Sequence, residues 1–212
     1  MRKILIIGAG KSSSYLIKYL LDKVESENLH VTIGDVNVEN AQNLIGKNSK
    51  ANIIHLDVFD ADSRTNAVKE ADIVVSMLPA RFHIEVAKDC ITYKKHMVTA
   101  SYVSKEMQML HDDAKANNLV FMNEIGVDPG IDHMSAMQVI DRIRDNGGKM
   151  ILFESFTGGL VAPESDNNLW NYKFTWNPRM LWLQVKVVQL NFCKKANLNT
   201  YRMTDSLDVQ NF

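Results

Sequence analysis

Six short apolar runs, the first five each followed by a segment with helical spacing, constrain this chain more than any other feature. KILIIG, HVTIGD, ANIIHLDV, ADIVVSML, HMVTAS and LVFMNEI have strand length and are rich in Ile, Val and Leu. Between them lie SYLIKYLLDKV, VENAQNLIGK, ADSRTNAVKE, FHIEVAKDCITYK and SKEMQMLHDDAKANN, each read as a helix. Strands separated by helices cannot pair as tight hairpins, because a helix-length connection returns the chain in the same direction. The pattern predicts an α/β fold, a doubly wound parallel sheet with helices on both faces and right-handed crossovers.

The pattern changes near Glu124, which is taken as a domain boundary. GVDPGIDH reads as a Gly- and Pro-rich loop, MSAMQVIDRIRDNGG as a helix closed by Gly147 and Gly148, and KMILFESF as a further strand. The stretch GGLVAPESDNNLWNYKFTWNPR is long, polar and aromatic, which marks it as functional or disordered. The composition, 46% hydrophobic and 23% charged, is that of a globular protein. A net charge of -1 gives no reason to expect a nucleic acid or a membrane surface as partner. Two cysteines, Cys90 and Cys193, make no disulfide framework and fit a reducing compartment. No apolar run reaches the roughly 18 residues of a membrane helix. The start, MRKILIIGAG, reads as a first strand rather than a leader, since a Gly-rich turn follows at once. A cytoplasmic location is expected.

Gly8-Ala9-Gly10 follows the first strand and opens the first helix, with Ser13 at the third small position of a dinucleotide fingerprint. The chemistry needs a tight turn, close backbone approach to a pyrophosphate and a helix N-terminus facing its charge. Lys11, Ser12, Ser13 and Ser14 offer donors around the same phosphates. Asp35 ends the second strand, where an acid accepts hydrogen bonds from the adenosine ribose and repels a 2′-phosphate; this favours NAD over NADP. Asp35 could instead cap the next helix, a role open also to Asn37. Asp57 and Val58 follow the third strand, where the adenine edge usually lies; Asp60 or Asp62 is the expected cap of the next helix. Ser76-Met77-Leu78-Pro79 and Ser101-Tyr102 end the fourth and fifth strands at the carboxyl edge, where ligands bind; each could equally be an ordinary loop residue. Within GVDPGIDH, Asp128 is held extended by Pro129. Asp132 is the expected helix N-cap, and His133 reads as structural. Their spacing matches no metal motif, so no metal site is expected.

The segments SMLPARFHIEVA, KKHMVTASYVS, VFMNEIGVDPGIDHMSA and GGLVAPESDNNLWNYKFTWNPR resemble the glutamate-forming saccharopine dehydrogenases, and the resemblance covers residues 1–179. It implies a Rossmann-type NAD(P)-binding domain over residues 1–124 and the start of an α/β substrate domain over residues 125–179. The activity it implies interconverts saccharopine with glutamate and 2-aminoadipate 6-semialdehyde, using NADP or NAD. It places the phosphates on Gly8 to Ser13, and the nicotinamide near Ser76, Met77, Leu78, Gly126 and Val127. Substrate contacts fall on Pro79, Ala80, Ser101, Tyr102, Asp128 and Trp176. Asp128 and Tyr102 are the candidates for proton handling. NADP-using members carry an Arg just past the second strand; Asp35-Val36 stands here instead, which again points to NAD. The partner implied is a small amino-acid substrate, and a homodimer is left open. Two other readings remain: a dinucleotide-binding protein without catalysis, and a related imine-reducing enzyme acting on carboxynorspermidine.

After Arg179 the resemblance stops, where the family continues with a run similar to NVVLAGQGG. Taking the last base of each codon with the first two of the next, residues 180–212 can be decoded as NVVVAGKGGAVKFLQEG and, further on, KYIPYDRLFRRTEF, which resembles that continuation. These residues are therefore expected to be a frameshifted translation that is poorly specified, leaving the substrate domain incomplete.

Overall fold

The structure, a computed structural model, describes residues 1–46, 50–155, 161–169 and 173. The chain divides into two compact units, Met1–Ile151 and Leu152–Phe212. In the first unit, six strands form one parallel sheet: β1 (Arg2–Ile7), β2 (Leu29–Asp35), β3 (Ala51–His55), β4 (Ile73–Ser76), β5 (His96–Thr99) and β6 (Phe121–Met122). Their spatial order is β3-β2-β1-β4-β5-β6. The chain winds outward from β1 to β3, then crosses back and winds outward the other way from β4. This is the doubly wound sheet that the alternation of runs predicts, with its switch point between β1 and β4.

Alternation along β1 divides the core. Leu5 and Ile7 face a cluster with Val68, Val74, Val86 and Cys90 beneath α3 (Ala61–Glu70) and α4 (His83–Tyr93). Ile4 and Ile6 face the other side, with Ile17, Leu21, Val31 and Ile33 beneath α1 (Ser14–Asp22) and α2 (Val38–Ile45). Ile6, Ile17, Val31 and Ile33 are fully buried, each contributing roughly 1.5–3 kcal/mol. Asn37 caps α2 by accepting the Glu39 N–H at 3.0 Å, and Asp60 caps α3 by accepting from Asp62 and Ser63. Arg64, near the start of α3, is buried, paired with Asp89 of α4 at 2.6 Å and bonded to the Val58 carbonyl at 2.6 Å. It ties the β3–α3 loop to α4.

Three elements differ from the pattern read in the sequence. The fifth helix is two, α5 (Lys105–Gln108) and α6 (His111–Ala116). Between them the Leu110 N–H bonds back only three residues, to Met107, a tightened turn from which Met107 and Leu110 both pack into the core. Residues 149–155 carry no regular structure; a strand is made by pairing, and no partner strand lies beside this run among the described residues. The cap of α7 (Ile131–Asp145) is Gly130, not Asp132. Asp132 lies one turn position inside the helix and accepts the Gly130 N–H at 2.9 Å, so it braces the entry without occupying the cap. Among the described residues no helix is long and apolar enough to cross a membrane.

Candidate functional site

The glycine turn is built by the end of β1. Gly8 donates its N–H to the Gly34 carbonyl at 2.8 Å and has φ of +105°. A Cβ there would lie 3.0 Å from the Met77 carbonyl oxygen, so glycine is required for backbone conformation and for close passage past β4. Gly10 differs. Its φ of −78° suits any residue, and no atom of the described residues lies within 4 Å of a Cβ built on it. The space above Gly10 is open, as a turn that takes a pyrophosphate against its backbone requires. Lys11 and Ser12 are exposed beside it. Ser13 is 1% exposed and its hydroxyl donates to the Gly10 carbonyl at 2.7 Å; the Ser14 hydroxyl donates to Lys11 at 3.1 Å. These two hydroxyls and the Ser13 N–H, which donates to the Gly10 carbonyl at 3.1 Å, shape the turn, and Lys11 and Ser12 stand exposed where a ligand would meet it.

Asp35 closes the turn from β2. One carboxylate oxygen accepts the Ala9 N–H at 2.6 Å, the other the Asn37 N–H at 2.8 Å. With Asn37 capping α2, Asp35 is a clamp on the glycine turn. No Lys or Arg occurs among residues 36–40. Asp57 accepts the Phe59 N–H at 2.9 Å. Val58 is buried in the core, so its backbone alone lines the edge. Exposed Phe59 meets Phe82 edge to face, with centroids 4.9 Å apart.

The ends of β4 and β5 converge on a residue that the sequence pattern does not single out. His83, the first residue of α4, is 4% exposed. Its Nδ1 lies 2.8 Å from the Ser76 hydroxyl, its Nε2 2.7 Å from the Ser101 hydroxyl and 3.4 Å from that of Thr99. Burial pushes its pKa down from 6.5 to about 4, so the imidazole is neutral at neutral pH. Met77 and Leu78 are half-buried against opposite core clusters. Pro79 and Ala80 are exposed at a short 3-10 turn, Ala80–Phe82, which leads into α4. Tyr102 is 49% exposed, next to Ser101.

The loop after β6 folds against the same edge. The Glu124 N–H donates to the Ser101 carbonyl at 3.0 Å and its side chain accepts the Val103 N–H at 3.0 Å. A Cβ on Gly126 would lie 3.2 Å from that of Ala100. Gly126 and Gly130 bridge, and a Cβ on Gly130 would overlap the Gly126 carbonyl. This tight ring presents Val127, 75% exposed, and exposed Asp128 beside the end of β5. His133 pairs with Asp132 at 2.8 Å on the exposed first turn of α7. Next to Glu124, the Nδ2 of Asn123 is buried without a hydrogen-bond partner among the described residues. The structure thus joins Gly8, Asp35 and Met77 at the switch point, and Ser76, Ser101 and Gly126 farther along the edge. Trp176 lies outside the described residues, as do residues 180–212.

His83 and Glu124 escape sequence reasoning because each acts through partners distant in the chain, and Asn123 because its burial is set by the fold. Their faint signal is position: each is polar and directly follows, or lies a short turn beyond, the end of a strand.

A parallel sheet with this strand order, a glycine turn open to solvent at its switch point and an acid clamping that turn define a dinucleotide-binding α/β domain. Residues 4–122 match the profile described as the saccharopine dehydrogenase NADP binding domain, and residues 126–189 the saccharopine dehydrogenase C-terminal domain. The chain belongs to the saccharopine dehydrogenase family. It is 38% identical over 185 residues to the saccharopine dehydrogenase [NADP(+), L-glutamate-forming] of Pyricularia oryzae, covering 87% of this chain and 40% of that protein. It is 43% identical over 157 residues to the alpha-aminoadipic semialdehyde synthase of Arabidopsis thaliana, covering 74% of this chain and 15% of the other. The apo saccharopine dehydrogenase (L-Glu forming) of Saccharomyces cerevisiae superposes with a TM-score of 0.72 at 35% identity, over 85% of this chain and 40% of that one. The chain therefore spans about 40% of the length of such fungal relatives.

Proposed function

We propose that this chain serves an oxidoreductase acting on a CH–NH group, converting saccharopine, NAD(P)+ and water to glutamate, 2-aminoadipate 6-semialdehyde, NAD(P)H and a proton in lysine metabolism. One observation carries the reading: the family match runs through both the glycine-turn domain, residues 4–122, and the following segment, residues 126–189. In this reading Gly8 to Ser13 hold the pyrophosphate, and Met77, Leu78, Gly126 and Val127 flank the nicotinamide. The nicotinamide, when bound, accepts the hydride. Pro79, Ala80, Ser101 and Tyr102 then meet the amino-acid substrate, while Tyr102 and Asp128 are the groups with protons to give or take.

For the choice of dinucleotide, the names of the matching domain and of the fungal relatives carry NADP. The carboxylate of Asp35 and the lack of a cation over residues 36–40 favour NAD on charge. The buried, unpaired thiol of Cys90 suits a reducing compartment such as the cytoplasm.

The test mixes the chain with saccharopine and either dinucleotide, following reduced nicotinamide by fluorescence and glutamate by mass spectrometry. Both products are expected together. Turnover of carboxynorspermidine without turnover of saccharopine would move the substrate to a polyamine-type imine. Dinucleotide binding with neither turnover would leave a binding function alone.

A further inference from the structure

Among the described residues His83 has no charged partner. Its polar neighbours are the hydroxyls of Ser76, Ser101 and Thr99, and it lies at the joint between β4, β5 and α4. A neutral imidazole has one N–H donor and one acceptor, so the two sides of this bridge cannot be equivalent. Ser76 is fully buried, and among the described residues His83 is the one hydrogen-bond partner of its hydroxyl. If Nδ1 carried the proton, it would donate to Ser76 and leave the Ser76 O–H without an acceptor, an arrangement a buried site penalises. If Nε2 carries it, Ser76 donates to Nδ1 and Nε2 donates onward to Ser101. Thr99 is also buried, but its hydroxyl lies 3.4 Å from Nε2, too long for the ring to satisfy it well in either tautomer, so it weighs less than the 2.8 Å contact of Ser76 with Nδ1 and the 2.7 Å contact of Ser101 with Nε2. Ser101 is half-buried at the carboxyl edge. With its oxygen already accepting from His83, its own O–H is left to donate outward.

Resting on the amino-acid substrate proposed above, we propose that His83 is a positioning residue: its Nε2–H tautomer, fixed by Ser76, turns Ser101 into a hydrogen-bond donor that reads a carboxylate oxygen of the amino-acid ligand. The chain of donors runs one way, Ser76 to His83 to Ser101 to ligand, and each bond polarises the next. A carboxylate, which only accepts, is matched to that donor.

Nitrogen-15 NMR of the 212-residue chain reads the tautomer directly, without any variant. The expected result is a neutral Nε2–H ring that shifts when saccharopine or glutamate is added to the dinucleotide-loaded chain. Ser101→Ala should weaken glutamate binding about tenfold, the worth of one hydrogen bond to a charged group, and leave dinucleotide binding unchanged. His83→Phe should show the same loss, and His83→Gln, which keeps an N–H near the Nε2 position, should recover most of it. An Nδ1–H or doubly protonated ring at neutral pH overturns the inference whatever the enzyme's substrate. So does an Nε2–H ring that no carboxylate ligand perturbs. A response to glutamate without saccharopine turnover upholds the inference and rejects the substrate assignment, so the two failures are distinct.

Discussion

Replacing Gly10 by valine separates ligand space from folding space. The φ and ψ of Gly10, −78° and 177°, lie where a β-branched residue sits without strain, and no atom of the described residues lies within 4 Å of the new Cβ. Stability should change by no more than about 0.5 kcal/mol. For a unit of this size that is about 2 °C in Tm. A bound pyrophosphate would instead meet the two methyl groups and lose its approach to the turn. One or two hydrogen bonds to a charged group are worth roughly 1.5–3 kcal/mol each, so dinucleotide affinity should fall about 100-fold or more. Gly8→Val is the contrasting case. Its φ of +105° and the 3.0 Å approach to Met77 act on the folded chain itself. It should lose roughly 1–3 kcal/mol, several degrees in Tm, before any ligand is added. Thermal melts with fluorescence titration of reduced dinucleotide on the parent and both variants give the four numbers needed. A Gly10→Val chain that binds as tightly as the parent would refute the placement. One that melts as early as Gly8→Val would show that the turn is packed, not open.

Asp35→Asn should cost about 1–2 kcal/mol and weaken both dinucleotides, because one oxygen facing Ala9 or Asn37 becomes an amide that cannot accept; unchanged stability by urea denaturation would reduce Asp35 to a ribose contact. Parallel titration of the parent with NAD and NADP tests the charge argument proposed from Asp35 against the NADP in the names of the matching domain and relatives. That argument expects NAD to bind more tightly, and the reverse order would reject it. His83 is held neutral in the folded chain with its pKa lowered to about 4 by burial. Its contribution is therefore nil above pH 6.5, and stability is lost as pH falls from 6.5 towards 4, by at most about 3 kcal/mol. Comparing the pH dependence of unfolding for the parent and His83→Gln isolates this slope, and identical slopes between pH 6.5 and 5 would refute it. Asp89→Asn leaves the buried Arg64 guanidinium without its counter-charge and should destabilise by about 3 kcal/mol; a change below 1 kcal/mol in urea would show the pair to be hydrated.

The sequence by itself determined the sheet. Six apolar runs interrupted by helices leave a parallel, doubly wound arrangement as the economical solution, and a glycine turn after the first run marks where its switch point binds. Those are local properties: period, length and turn chemistry. Caps at Asn37 and Asp60 were legible for the same reason, since a cap bonds two or three residues away. Tertiary structure decided what depends on residues far apart in the chain. It gave Gly8 and Gly10 different duties, because only β4 brings Met77 against the first and nothing against the second. It turned Asp35 into a clamp, through Ala9 on another strand's turn. It stopped a plausible strand at residues 149–155, where no neighbour is paired with it among the described residues. It also made a site residue of His83, whose place in an amphipathic helix reads as packing until β4 and β5 deliver Ser76 and Ser101 to its two nitrogens. Periodicity reports which face of an element is buried; which polar groups meet across buried faces is fixed only when the strands are laid side by side.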